Sequence, residues 1–132
     1  MTITGIRSRP PAGGSGGGRN PLVIVGAVGT QGATTQLMIS ATGDVDADNA
    51  KSFADQVCAL VSDDRDVLLD LSGLGFFAVD GCTALHAVNA LVMRRGAAWS
   101  VIPSRGVSRV LALCDPACLI PITSTEELAE PA

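Results

Sequence analysis

Aromatic residues are scarce in this 132-residue chain: there is no tyrosine, and the only rings of the Phe, Tyr and Trp class are Phe53, Phe76, Phe77 and Trp99. Platforms that stack nucleobases or sugars are built from exposed rings, so the shortage argues against such ligands. Basic charge is scarce too, with one lysine (Lys51) and eight arginines against thirteen acids. Residues 1–43 hold Arg7, Arg9 and Arg19 with no acid, for +3, whereas residues 44–132 hold six basic and thirteen acidic side chains, for −7. A phosphate backbone is held by clustered Lys and Arg that displace counterions, so an acidic body of this kind is not expected to bind nucleic acid directly. Long apolar runs are missing as well. The longest, such as Leu22–Val28, fall far short of the roughly 20 residues of a spanning helix. No apolar segment follows the first arginines as a secretory signal would, and the expectation is a cytoplasmic protein without membrane contact.

What is present is an aliphatic chain, 47% hydrophobic, whose length suits a single core. Residues 1–20 read as a disordered tail, because Pro10 to Gly18 consists of Pro, Gly, Ala and Ser with nothing to bury. Neither these glycines nor those between Gly26 and Gly32 are followed by the Gly-Lys-Ser/Thr of a phosphate loop. Residues 21–130 form the expected domain. Leu22–Val28 and Gln36–Ala41 are apolar strands close enough for a hairpin. Asp46, Asp48 or Asn49 can cap a helix carrying Phe53, Val57, Leu60 and Val61. Val67–Leu71 is a nearly continuous apolar run, interrupted only by Asp70, the mark of a strand buried on both faces. A helix starting near Asp80-Gly81 carries Leu85, Val88, Leu91 and Val92 and stops at Arg94-Arg95-Gly96. Ala98–Ile102 is a strand; Val107, Val110, Leu111 and Cys114 mark a compact helix; Cys118–Ile122 is a last strand before a helical turn at Thr125. The order β-β-α-β-α-β-α-β-α specifies an α/β fold, a small mixed sheet flanked by helices.

Templates for chemistry all lack a part. His86 is the only histidine and sits mid-helix among Leu85, Ala87 and Val88, the setting of a packed side chain; no second base exists to activate a nucleophile. No catalytic residue is expected, and the chain reads as non-enzymatic. Asp44 and Asp46 alternate on an extended segment and can face one side, but no further oxygen ligands accompany them. Cys114 and Cys118 form C-x3-C without a nearby histidine, so no zinc site, other metal or cofactor is expected. Cys58 and Cys114 lie on or beside apolar stripes and read as core. Cys82, in the first turn of a helix, and Cys118, after Asp115-Pro116, are the accessible pair; should two thiols oxidise together, elimination favours Cys82 with Cys118.

Four stretches between Leu37 and Leu128 carry a further pattern. Ile39-Ser-Ala-Thr-Gly-Asp-Val-Asp46 is a strand ending in T/S-G-E/D-hydrophobic-D. Val67-Leu-Leu-Asp-Leu-Ser-Gly-Leu-Gly-Phe76 resembles V-L-D-L-S-G-V-x-F, aligned from Leu68. Arg95-Gly-Ala-Ala-Trp-Ser-Val-Ile-Pro-Ser104 resembles R-G-G-x-L-x-L-x-x-P-S, one residue shorter before its proline, and Val107-Ser-Arg-Val-Leu-Ala-Leu113 resembles V-x-R-x-L-x-L. In this order and spacing the chain resembles the STAS domain of bacterial anti-sigma-factor antagonists. The resemblance implies a binding module that captures an anti-sigma factor, often a kinase-like ATP-binding protein, and so frees a sigma factor to activate transcription. It implies a contact surface at Asp80, Gly81, Cys82 and Thr83, with Asp44 and Asp46 nearby. Other roles for such a module are a scaffold in a stress-signalling complex and a small-ligand or redox-sensing domain.

One departure concerns the switch. Family members carry D-S-S/T-G after the phenylalanine of the third strand, and a partner kinase phosphorylates the second hydroxyl. Here the aligned residues are Ala78-Val79-Asp80-Gly81, and an aspartate is no substrate for a serine kinase. Asp80 can imitate the phosphorylated, released state, or it can be tolerated in an interface that never uses phosphate. The second reading is preferred: a carboxylate carries one charge where phosphoserine carries about 1.5 to 2, and an acidic loop favours approach to a basic anti-sigma surface. Regulation then needs another input, for which Thr83 is a candidate hydroxyl and the thiols are a candidate redox device.

Overall fold

Alternation of apolar and polar residues decides which face of each strand is covered. The computed structural model describes residues 4–8, 20–31, 34–62 and 65–123. β2 (Val23–Gln31) and β3 (Thr34–Val45) pair antiparallel with Ile24 opposite Ala41 and Gly26 opposite Ile39. This register sends Ile24, Leu37, Ile39 and Ala41 into the core, while Val25, Met38 and Ser40 face outward. β4 (Asp66–Phe77) runs parallel to β3, with Leu37 opposite Val67 and Ile39 opposite Leu69. β5 (Trp99–Ile102) extends the parallel part with Leu69 opposite Val101. Val67, Leu68, Leu69 and Leu71 are all buried, as the nearly continuous apolar run requires, and Asp70 among them is half-buried. Gly43 is obligatory near the end of β3: it has a φ of 97°, and a Cβ there would collide with the carbonyl of Pro21, just before β2.

Three helices cover the inner face. α1 (Ala50–Leu60) buries Ala50, Phe53, Ala54 and Val57, an i, i+3, i+4, i+7 stripe. α2 (Val79–Arg94) buries Cys82, Leu85, Val88 and Val92 and ends at Gly96, which takes the left-handed conformation. α3 (Arg105–Cys114) begins at Ser104, whose Oγ accepts the Val107 amide at 3.2 Å, and buries Val107 and Leu111. Phe53 is fully buried at the centre of the aliphatic cluster. Trp99 is buried with its Nε1 donating to Asn89 Oδ1 at 2.8 Å, so its one polar atom is satisfied. Among the described residues no helix is long and apolar enough to cross a membrane.

The α/β class and the mixed sheet are as expected; both ends of the chain differ. Thr4–Ser8 forms an edge strand, β1, antiparallel to β2, giving the sheet order β1-β2-β3-β4-β5. A disordered tail over residues 1–20 is therefore corrected for 4–8, which contain Ile6 and no proline and find open backbone groups on β2; residues 1–3 and 9–19 lie outside the described residues. The strand expected at Cys118–Ile122 is reduced to one parallel bridge between Ile122 and Val101. Pro121 has no N–H to give, and the amides before it are already taken. The buried carboxylate of Asp115 accepts Leu119 N at 3.0 Å and Ile120 N at 2.9 Å. The helical turn expected at Thr125 lies outside the described residues.

Burial pushes the Asp115 carboxyl up, but the amides of Ile120 and Leu119 and the nearby His86 together hold it below its ordinary value. A lowered folded-state value means that its stabilisation is complete above the unfolded carboxyl pKa of about 3.9 and is lost as pH falls through the lower folded value. Asp115→Ala leaves two amides without this acceptor and should lower stability at pH 7 by about 2 kcal/mol. Urea unfolding from neutral to acid pH checks this: the gap between parent and variant should close only in the acid limb.

Candidate functional site

The site is built where β3 and β4 end together. Asp44 lies opposite Phe76 and Val45 opposite Phe77, and the chain is then tied across by Ala78 N donating to Val45 O at 2.8 Å. α2 starts at the next residue. Its N-cap position, Ala78, has no side chain with which to cap the helix, so the first turn presents backbone N–H groups with Asp80 as its acidic residue. Asp80 and Thr83 are exposed, whereas Gly81 and Cys82 are buried beneath them. Gly81 has a packing role: a Cβ there would stand closer than 3.0 Å to three ring atoms of Phe77. The helix can press its first turn onto Phe77 only at glycine, and this sets the height at which Asp80 emerges.

Asp44 and Asp46 belong to the frame beneath this surface. Asp44 is buried, with Oδ2 accepting Asn20 N at 3.0 Å, and Gly75 leaves room for its other oxygen. Asp46 is half-buried, and its Oδ1 accepts the amides of Asp48 at 2.9 Å and Asn49 at 3.0 Å. Asn49 returns the bracing, accepting Asp46 N at 2.8 Å and donating to Asp44 O at 2.9 Å. Of the three capping candidates, Asn49 occupies the N-cap position but its side chain points back along the turn, and Asp46 gathers the free amides. Two surface residues were missed by the sequence reading. Phe76 and Val79, 39% and 60% exposed, flank Asp80 with apolar surface. Strict alternation could have found Phe76, since Phe77 faces inward.

The cysteine pairing is corrected. Cys82 is bonded to Cys114, with Cα atoms 6.7 Å apart, and Cys118 is an exposed free thiol. Elimination had removed Cys114 because it lies on an apolar stripe, yet that stripe is what brings it to Cys82. Three links hold one side of α2 to the structure after it: Cys82 to Cys114, His86 Nε2 lying 4.0 Å from Asp115 Oδ1, and Asn89 to Trp99. Positions 82, 86 and 89 form a single i, i+4, i+7 stripe. Cys58 is the other free thiol; burial and then Asp55 raise its pKa, against Arg94. Among the described residues no group of three or more His, Cys, Asp and Glu is placed to hold a metal.

The family model described as "Mlab, STAS domain" matches residues 28–115. Solved structures share the fold. An anti-sigma factor antagonist from Mycobacterium paratuberculosis aligns with a TM-score of 0.60 at 20% identity, over 80% of this chain and 90% of that one. The antagonist SpoIIAA in its unphosphorylated form aligns at 0.55 and 12% identity, over 78% and 91%. A putative anti-sigma factor antagonist from Thermotoga maritima aligns at 0.55 and 17%, over 70% and 85%. No curated protein matches.

Gly81→Ala should cost about 1–3 kcal/mol through overpacking against Phe77. Trimming the ring in Gly81→Ala/Phe77→Leu should recover part of that loss relative to Phe77→Leu alone, which a double-mutant cycle in urea measures.

Proposed function

The chain belongs to the STAS-domain family, and from this we propose that it is an anti-sigma-factor antagonist, a binding module that competes for an anti-sigma factor and so releases the sigma factor. The observation that carries the reading is the exposed Asp80 in the first turn of α2, flanked by Phe76 and Val79 and set by the contact of Gly81 with Phe77. Support also comes from the fold shared with proteins named as such antagonists. A fixed carboxylate beside exposed apolar side chains suits a basic, partly apolar surface: charge speeds and orients encounter, and apolar contact slows release. The kinase-like class of anti-sigma factor is the partner first to be tried. With Asp80 in the phosphoacceptor position, association does not depend on dephosphorylation there. The reading is non-catalytic and places the chain in the cytoplasm.

Control then falls to the disulfide. In a reducing compartment, disulfides are chiefly transient, catalytic or redox-sensing. A cellular dithiol would reduce Cys82–Cys114 to two thiols and itself become a disulfide, a two-electron exchange that carries two protons to the released sulfurs. The bond pins the start of α2 to the end of α3. The oxidised form is the better binder in this reading, since its docking edge is already ordered.

Titration of the oxidised and reduced protein against purified anti-sigma factors from the same genome tests both parts. Oxidised protein should bind at least about fivefold more tightly than reduced protein, and Cys82→Ser/Cys114→Ser should behave as the reduced form. Asp80→Arg should weaken binding about tenfold. Equal affinity in both redox states would remove the thiol control alone; absence of binding to every anti-sigma factor would overturn the antagonist reading.

A further inference from the structure

Two links between α2 and the end of α3 lie side by side. Cys82 is bonded to Cys114, and one helical turn further along α2 His86 Nε2 stands 4.0 Å from Oδ1 of Asp115. Residues four apart on a helix have Cβ atoms about 5–6 Å apart, and Asp115 directly follows Cys114. The imidazole, the only one in the chain, is therefore a neighbour of the disulfide. Exposure differs among the four residues. The His86 side chain is 34% exposed and that of Asp115 4%; Cys82 is buried and Cys114 half-buried. The ring thus exchanges protons with water, while the sulfur beside it on α2 does not face water directly.

An incoming thiolate meets the two sulfurs unequally. Cys114 is the more open, so attack falls there and the Cys82 sulfur is the leaving group. It leaves from the first turn of α2, where the helix dipole favours a thiolate. We propose that His86 is the proton donor to the Cys82 sulfur when the Cys82–Cys114 bond is reduced, with Asp115 as a positioning residue for its ring. At 4.0 Å the contact of His86 with Asp115 is longer than a hydrogen bond, so the carboxylate orients the ring without holding the Nε2 proton. The amides of Leu119 and Ile120 fix that carboxylate in turn. Other charges lie further along the elements packed on α2. Arg105 and Arg109 of α3 are exposed, Lys51 and Asp55 of α1 are paired with one another, and Asp80 and Arg94 are six residues before and eight after His86.

The exchange balances with a dithiol as reductant. Its thiolate forms a bond to the Cys114 sulfur as the Cys82–Cys114 bond breaks, and Cys82 takes the electron pair and the proton of the imidazolium. The second thiol of the reductant gives its proton to water and displaces Cys114, which is protonated from water. Water returns a proton to His86, and the reductant is left as a disulfide. This step rests on the thiol-control reading, since it describes how that bond opens. Opening then depends on pH as well as on reductant: for each attacking thiolate it is faster in acid, where His86 carries its proton.

Reduction of the oxidised Cys118→Ser protein by dithiothreitol, followed by alkylation and intact mass from about pH 5.5 to about pH 9, tests this. The background removes the exposed thiol as a competing nucleophile. Divided by the thiolate fraction of dithiothreitol, the rate should rise toward acid pH in the parent and stay flat in His86→Gln. The parent should be faster by about tenfold near pH 6, and the two should coincide near pH 9. Asp115→Asn should keep the rise at reduced size. His86→Asn is the second variant, and circular dichroism checks that each is folded. Parallel profiles for the parent and both His86 variants would overturn the proposal. Alkylation of Cys82 and Cys114 before any reductant is added would overturn it together with thiol control. Parallel profiles alone leave thiol control standing, because that is read from the affinities of the two redox states.

Discussion

The parallel pairing of β3 with β4 is the constraint from which the candidate surface follows. It brings two strand ends level, Val45 opposite Phe77, so the turn into α1 and the first turn of α2 must emerge side by side. Strand ends of this kind leave unpaired backbone groups and abrupt changes of direction, and here side chains supply what the ladder cannot. Asp44, Asp46 and Asn49 satisfy one turn, while Gly81 lets the other lie flat on Phe77. The polar residues of this region thus fall into two groups. Those whose oxygens hold amides form the frame, and Asp80 and Thr83 are left to face outward.

A second organising feature is the stripe of α2 at Cys82, His86 and Asn89. Each residue reaches a different piece of the chain that follows, respectively the end of α3, the turn at Asp115 and the start of β5. Asp115 links these pieces to the fold's edge, since its carboxylate takes the amides that would otherwise make Cys118–Ile122 a regular strand. The disulfide and the buried carboxylate are therefore parts of one connection between the exposed start of α2 and the α3 corner. Their responses to solution conditions differ: one answers to reductant and the other to acid.

Much of the fold was legible because its signals are local and repetitive. Apolar alternation located β2 and β3, the nearly continuous Val67–Leu71 run located β4, and the stripes at Phe53 and Leu85 located α1 and α2. Asp80 and Thr83 were legible as surface residues through the motif that surrounds them. Asp44 and Asp46 were not legible as frame residues, because the pattern records an acid and says nothing about which amides surround it. Phe76 was obscured by its neighbour, and β1 by the low-complexity stretch that follows it.

The sequence by itself determined the α/β class, the aliphatic core, the acidic body and the presence of an aspartate, Asp80, at the start of α2, since each depends on residue type and near-neighbour spacing. Tertiary structure alone decided that Cys82 joins Cys114 and that Asp115 replaces a strand's partners. These outcomes depend on how α2 and α3 lie against the sheet. Residues 32 positions apart along the chain meet because the intervening strand and helix bury their own apolar faces, and no local pattern encodes that meeting.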